Sequence, residues 1–245
     1  MRYSGGVKPS LSLPAGLLLD LDDTILTYDA IGNETWRQTA AAFADRCGVP
    51  AATLYQALHD LRHWYWSDPV RNQAGRMRLD EARVDITHMA LQRLGRDDRA
   101  LATEIATHFR THRDAAISFF PGARETLDEL RRRGHRLALV TNGQSHHQRA
   151  KLERFGLEPV FDAICIEGEM GFGKPDPRAF ALALERLGLP PEETWMVGDN
   201  LEWDIRGAQG LGIFSVWHDF RRRGLPADPP AVPDHTVHAL KELVE

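Results

Sequence analysis

The sequence predicts an α/β fold: a parallel sheet covered by helices on both faces, with an all-helical insertion after its first strand. Three observations predict it. Short apolar runs end repeatedly in polar residues, as in Leu17–Leu21, Leu137–Val140 and Thr194–Val197. Helical periodicity separates the later runs, which is the alternation that builds a parallel sheet. The stretch 29–115 has helical patterning and no convincing strand.

The elements follow in order. Residues 1–15 carry Ser, Gly and Pro and read as a loose tail. Leu17–Leu21 reads as a buried strand closed by carboxylates. Asn33 is the expected N-cap of a helix with Trp36, Ala40, Phe43 and Cys47 on one face, stopped by Gly48 and Pro50. Leu54, Leu58 and Leu61 mark a second helix, ending near Asp68-Pro69. Leu79–Leu94 is a third, and Leu101, Ile105 and Phe109 mark a fourth. A helix through Ala123, Leu127 and Leu130 ends at Gly134. Then come a strand at Leu137–Val140, a helix to Phe155-Gly156, a strand at Ala163–Ile166 and a helix at Pro177–Leu187. Thr194–Val197, Leu201–Gln209 and Ile213–Trp217 complete the series as strand, helix and strand.

The chain has 245 residues, 42% hydrophobic and 27% charged, enough for a core without disulfide staples. Its net charge of −5 argues against a nucleic acid polymer as the main partner. No apolar run approaches the roughly 18 residues of a membrane span, and no signal peptide is legible. Cys47 and Cys165 read as reduced thiols, which gives cytoplasmic as the expected location.

The chemistry lies where the strands end. Asp20, in Asp20-Leu21-Asp22-Asp23-Thr24, closes the first strand; Thr141 and Asn142 close the second; Gly198 and Asp199 close that of Thr194–Val197. Ligands of open parallel sheets bind at these carboxyl ends. A carboxylate can accept a phosphoryl group, and a second nearby can protonate the leaving oxygen and then deprotonate water. The crowding of Asp20, Asp22, Asp23, Asp199 and Asp204 calls for a cation, and hard oxygen ligands with a phosphate substrate favour Mg²⁺. Lys174, in Gly173-Lys174-Pro175-Asp176-Pro177, supplies an ammonium from a loop stiffened by Gly and Pro. Each piece alone is an ordinary turn or cap; the order and placement of all four carry the argument.

These four segments resemble the motifs of the haloacid dehalogenase-like hydrolase superfamily: Leu18–Leu26, Leu139–Gly143, Gly173–Pro177, and Val197–Asn200 with Asp204. The resemblance spans roughly residues 16–220. It implies a Rossmann-like sheet of strand order 5-4-1-2-3, a core at residues 16–28 and 116–245, and a helical cap at residues 29–115. It implies Asp20 as nucleophile and Asp22 as general acid/base, with the Asp22 backbone carbonyl on Mg²⁺. Asp199 would bind the metal with Asp20, and Asp204 would support that site. Thr141, Asn142 and Lys174 would bind the phosphoryl group. The expected activity is Mg²⁺-dependent hydrolysis of a small phosphorylated metabolite. Thr-Asn-Gly and the cap length resemble the branch of nucleotidases and N-acylneuraminate-9-phosphatase. A phosphomutase is the alternative, with a non-catalytic module further off. A 2-haloacid dehalogenase would lack the second carboxylate, Asp22.

Other features read more plainly. His63-Trp64-Tyr65-Trp66 is expected to pack between helices rather than wall a substrate site. Arg71, Arg76 and Arg78 read as a solvated face. His146 and His147 start the helix after Asn142, where the reading favours no substrate contact, and the eleven histidines show no familiar metal-ligand spacing.

Overall fold

The computed structural model describes residues 12–245; most of the expected tail lies outside them. Six parallel strands form one sheet in the order β3-β2-β1-β4-β5-β6. They are β1 (Gly16–Leu19), β2 (Arg136–Thr141), β3 (Ala163–Ile166), β4 (Thr194–Gly198), β5 (Phe214–His218) and β6 (His235–Val237). Read from the other edge, the first five reproduce the expected order 5-4-1-2-3.

The central strands β1, β2 and β4 are largely apolar because both faces are covered. Side chains alternate across the sheet. Leu17, Leu19, Leu137, Leu139 and Val197 join one core. Leu18, Ala138, Val140 and Met196 join the other, with Phe180 and Leu184 of helix α9 (Pro177–Leu187). Asp176 caps α9 by accepting from the Arg178 amide, and Gly188 ends it in a left-handed conformation.

Five helices follow β1: α1 (Asp29–Cys47), α2 (Ala51–Ser67), α3 (Pro69–Arg76), α4 (Leu79–Arg93) and α5 (Arg99–Ala116). All but α3 contribute to a separate apolar cluster that includes Trp36, Leu58, Leu91 and Ile105. Trp36 and Phe109 stack at its centre, 3.9 Å between ring centroids. Helix α6 (Ala123–Arg132) leads back to the sheet. Helix α7 (Ser145–Arg154) follows β2, and the single turn α8 (Glu167–Met170) follows β3.

Several boundaries differ from expectation. The first strand stops at Leu19, before Asp20. Asn33 lies inside α1 rather than capping it. The helix starts because the Asp23 carboxylate accepts from the amides of Tyr28, Asp29 and Ala30 at 2.9–3.0 Å, a long-range cap that local spacing does not reveal. Helix α3 was not anticipated; Asp68 caps it and Pro69 opens it. The helix expected at Leu201–Gln209 begins as a π-helical turn over Leu201–Arg206, then passes into α10 (Gly207–Gln209). Strand β6 was also missed. Its three residues sit beyond a Pro-rich stretch and pair with β5 through Val216–His235 and Trp217–Thr236.

Candidate active site

Asp20, Thr141 and Asp199 all lie at or just beyond strand ends, because the register sets β1, β2 and β4 level. Leu19 pairs with Leu139 on one side and Val197 on the other. The Asp20 amide continues the ladder by donating to the Val197 carbonyl at 3.0 Å. A cavity of about 450 Å³ opens above these ends, lined by all seven expected residues: Asp20, Asp22, Thr141, Asn142, Lys174, Asp199 and Asp204. Such a volume suits a small metabolite.

Lys174 is the hub. Its side chain is buried, with Nζ 2.6 Å from Asp20 Oδ1 and 2.6 Å from Asp204 Oδ1. Asn142 holds the loop: its Nδ2 donates to the Lys174 carbonyl, and its Oδ1 accepts from the Lys174 amide, both at 2.8 Å. The Asn142 side chain, expected to bind a phosphoryl group, is thus engaged with the backbone of the lysine. Gly173 permits this approach, since a Cβ there would meet Asn142 Oδ1 at 2.5 Å. Gly198 does the same for Asp204, whose carboxylate a Cβ would meet at 2.3 Å.

Asp204 reaches inward from the π-helical turn. Its amide and that of Ile205 both donate to the Asn200 carbonyl, and its Oδ2 accepts from the Asn200 amide. The carboxylates of Asp20, Asp199 and Asp204 offer oxygens within 4.8 Å of one another. Burial, opposed by Lys174 and reinforced by Asp204, pushes the Asp20 carboxyl up to about 7. Burial and then Asp20 push Asp199 well above the usual carboxylate range. Burial works against the Lys174 ammonium, but Asp20 and Asp204 overcome it and hold the group above its ordinary value. Asp204 Oδ1 is buried with no donor in hydrogen-bond alignment among the described residues, although Lys174 is near. Three crowded hard-oxygen donors with unspent lone pairs are a donor set suited to Mg²⁺.

The other motif residues take distinct positions. Asp22 points to helix α7: Lys151 Nζ lies 2.6 Å from each carboxylate oxygen, and Gln148 Nε2 donates to Oδ2 at 3.1 Å. Gln148 also donates to Thr141 Oγ1 at 2.6 Å. Asp23 was counted with the crowded carboxylates, but its oxygens are spent on the start of α1.

Sequence reasoning missed Lys151, Gln148 and Glu167. Glu167 follows β3 and sits beside Asn142 because Ile166 pairs with Thr141. It accepts from the Gly143 amide at 2.8 Å and from Arg76 Nε and Nη2 at 2.7–3.0 Å. Arg76 is therefore half of a mostly buried ion pair between α3 and α8, not part of a solvated face. The level strand ends were a signal for Glu167; nothing local marked Lys151. The aromatic run also departs from expectation. Trp64 is 49% exposed beneath the Arg71 guanidinium, and Trp66 lines the cavity. His147 lines the cavity too, and burial pulls it down to about 4. With His146 and Asp80 it forms a compact cluster that the spacing did not suggest, but Asp80 is already paired with Arg83 and Arg110.

Comparison with known proteins adds an independent line. The family model described as haloacid dehalogenase-like hydrolase matches residues 14–212. A phosphoserine phosphatase of Thermus thermophilus is 43% identical, covering 93% of this chain and 96% of its own. The N-acylneuraminate-9-phosphatase of Rattus norvegicus is 35% identical over 61% of this chain and 60% of its own. Among solved structures, the HAD-hydrolase YfnB of Bacillus subtilis, bound to magnesium, superposes with a TM-score of 0.69. It is 27% identical and covers 95% of this chain and 97% of its own.

Proposed function

This chain belongs to the haloacid dehalogenase-like hydrolases, and from that premise we propose that it is a Mg²⁺-dependent phosphomonoester hydrolase working through an aspartyl-phosphate on Asp20. The observation that carries the reading is the contact of Lys174 with both Asp20 and Asp204, beside Asp199 and Thr141 in one cavity. The relatives named as phosphatases support it. Asp22 favours phosphate chemistry over dehalogenation, because a second carboxylate serves proton transfer to an alkoxide.

Asp20 attacks phosphorus with a carboxylate oxygen as the alcohol departs. Asp22 protonates the leaving oxygen, then takes a proton from the water that cleaves the acyl phosphate. Lys174 keeps a positive charge against Asp20 and the transferring group. Thr141 and the backbone of Asn142 would face the phosphoryl oxygens. Asp20, Asp199 and the Asp22 carbonyl would hold Mg²⁺, with Asp204 supporting them. The ion supplies charge neutralisation on the transferring phosphoryl group. The helical segment at residues 29–115 acts as a cap that shields the reaction from bulk water. Free, buried Cys47 and Cys165 fit a reducing compartment, and we place the enzyme in the cytoplasm. No helix among the described residues is long and apolar enough to cross a membrane.

The test is hydrolysis of an aryl phosphate with Mg²⁺ and with chelator. Wild type should turn over only with the metal, and Asp20→Asn should be inactive. Full activity of Asp20→Asn would sink the mechanism; full activity in chelator would sink the metal assignment.

A further inference from the structure

The cavity extends from the strand ends to helices α2, α4 and α5, where Arg62, Arg83 and Arg113 line it together with Trp36 and Phe109. Two of these arginines have partners. Arg83 donates to Asp80 Oδ1 at 3.0 Å and to the Tyr28 hydroxyl at 3.1 Å. Arg113 donates to Asp114 Oδ1 at 2.7 Å and lies 4.0 Å from the Tyr28 ring centroid. Arg62 does not have such partners. Its one hydrogen bond among the described residues is a long one, 3.4 Å from Nη2 to Asn33 Oδ1, and its Nη1 is buried with no acceptor. The guanidinium stands over the Trp36 ring, 5.1 Å from its centroid. Burial pulls Arg62 down to about 10, and the neighbouring charges of Arg113 and Arg83 add to the fall; Asp29, exposed at the cavity rim, opposes it.

A guanidinium nitrogen buried without an acceptor among the described residues is costly unless something else supplies one. Arg62 forms part of the cavity wall, so a bound substrate can supply acceptors to it. We propose that Arg62, backed by Arg83 and Arg113, binds a carboxylate carried by the leaving alcohol. The enzyme's substrates are then phosphomonoesters of small hydroxy acids or hydroxy amino acids. A planar carboxylate matches the fork of one guanidinium, and the aromatic wall lowers the local dielectric and strengthens the pair. One under-used guanidinium with Asp29 nearby favours a monoanion over a second phosphate. This inference rests on the phosphomonoesterase reading above.

The experiment compares kcat/KM for O-phospho-L-serine and O-phosphoethanolamine, which differ by the carboxylate, with fructose 1,6-bisphosphate as the two-phosphate arm. Wild type should prefer phosphoserine over phosphoethanolamine by about 10- to 100-fold, the range of a charge-assisted contact. Arg62→Met should erase most of that preference through KM, and Arg62→Lys should keep part of it. Both substrates are assayed on one variant, so a loss of folded protein cancels in the ratio. No wild-type preference, or equal losses on both substrates in Arg62→Met, overturns the inference and leaves the phosphatase reading standing. A preference for the bisphosphate that Arg62→Met erases overturns the carboxylate assignment. Failure of wild type on every phosphate ester, aryl phosphate included, would instead remove the phosphatase reading and this inference with it.

Discussion

The Lys151 ammonium lies 2.6 Å from both carboxylate oxygens of Asp22, across the interval between β1 and α7. It also stands 4.3 Å from the centroid of the Tyr28 ring, which helps to fix its place. Lys151 is thereby a positioning residue for the proposed proton donor. Lys151→Met should lower kcat by about 10- to 100-fold, part of what general acid–base catalysis contributes, with little change in KM. A fall confined to KM would contradict this role.

Lys174 neutralises two buried carboxylates at once. Lys174→Met should abolish turnover and, in chelator, cost about 3–5 kcal/mol of stability, the typical cost of breaking a buried pair. Denaturant unfolding checks the value. Wild-type stability in the variant would mean that the carboxylates find compensation elsewhere.

The pH dependence has a definite sign. Asp20 and Asp23 are pushed from 3.8 up to about 7, chiefly by burial. Their stabilising contribution is full below pH 4 and is lost as pH rises through 7, because the folded state binds the extra protons. His147, pulled down to about 4, works the other way as pH falls below 6.5. The proposed Mg²⁺ would compete with protons for both Asp20 and Asp199, whose carboxyls are raised by burial. The rise in Tm caused by Mg²⁺ should grow from pH 5.5 to pH 8, and Asp20→Asn should lessen that growth. A constant rise across that range in wild type would contradict proton–metal competition.

Arg76 ties helix α3 to Glu167, and Glu167 holds the Gly143 amide. A second link runs from the Leu79 amide to Gln144 Oε1 at 3.2 Å. Arg76→Met should speed deuterium exchange in residues 142–145 and across α3, by loosening one unit on the other. Unchanged exchange in both segments would show that this pair does not hold them together.

Gly198→Ala sets a methyl group against the Asp204 carboxylate at 2.3 Å. The variant should lose at least about 1–3 kcal/mol, the usual cost of overpacking, and most of its activity. A variant with wild-type turnover would show that Asp204 can move without consequence.

Much of the fold was legible because its signals are local. Leu17–Leu19 is apolar on both sides since each neighbour faces a different covered face. Pro177 and Gly188 bracket α9 through backbone rules that need no partner. Asn33 misled for the opposite reason: it is a good cap by composition, yet Asp23 claims the free amides from several residues upstream. Strand β6 carries little hydrophobic signal in three residues and exists because β5 offers it an edge.

The sequence by itself determined the α/β class and the seven polar residues that gather in the cavity; the order of the first five strands came from the family resemblance those residues carry. Their identities recur at strand ends, and a parallel sheet sets those ends level. Only the tertiary structure decided what each group touches. Asp22 turned to Lys151, Asn142 bound the Lys174 backbone, Arg76 found Glu167, and Arg62 Nη1 was left without an acceptor among the described residues. Those outcomes depend on residues far apart in the chain. Charge pairing and burial act through space, and no local spacing records them.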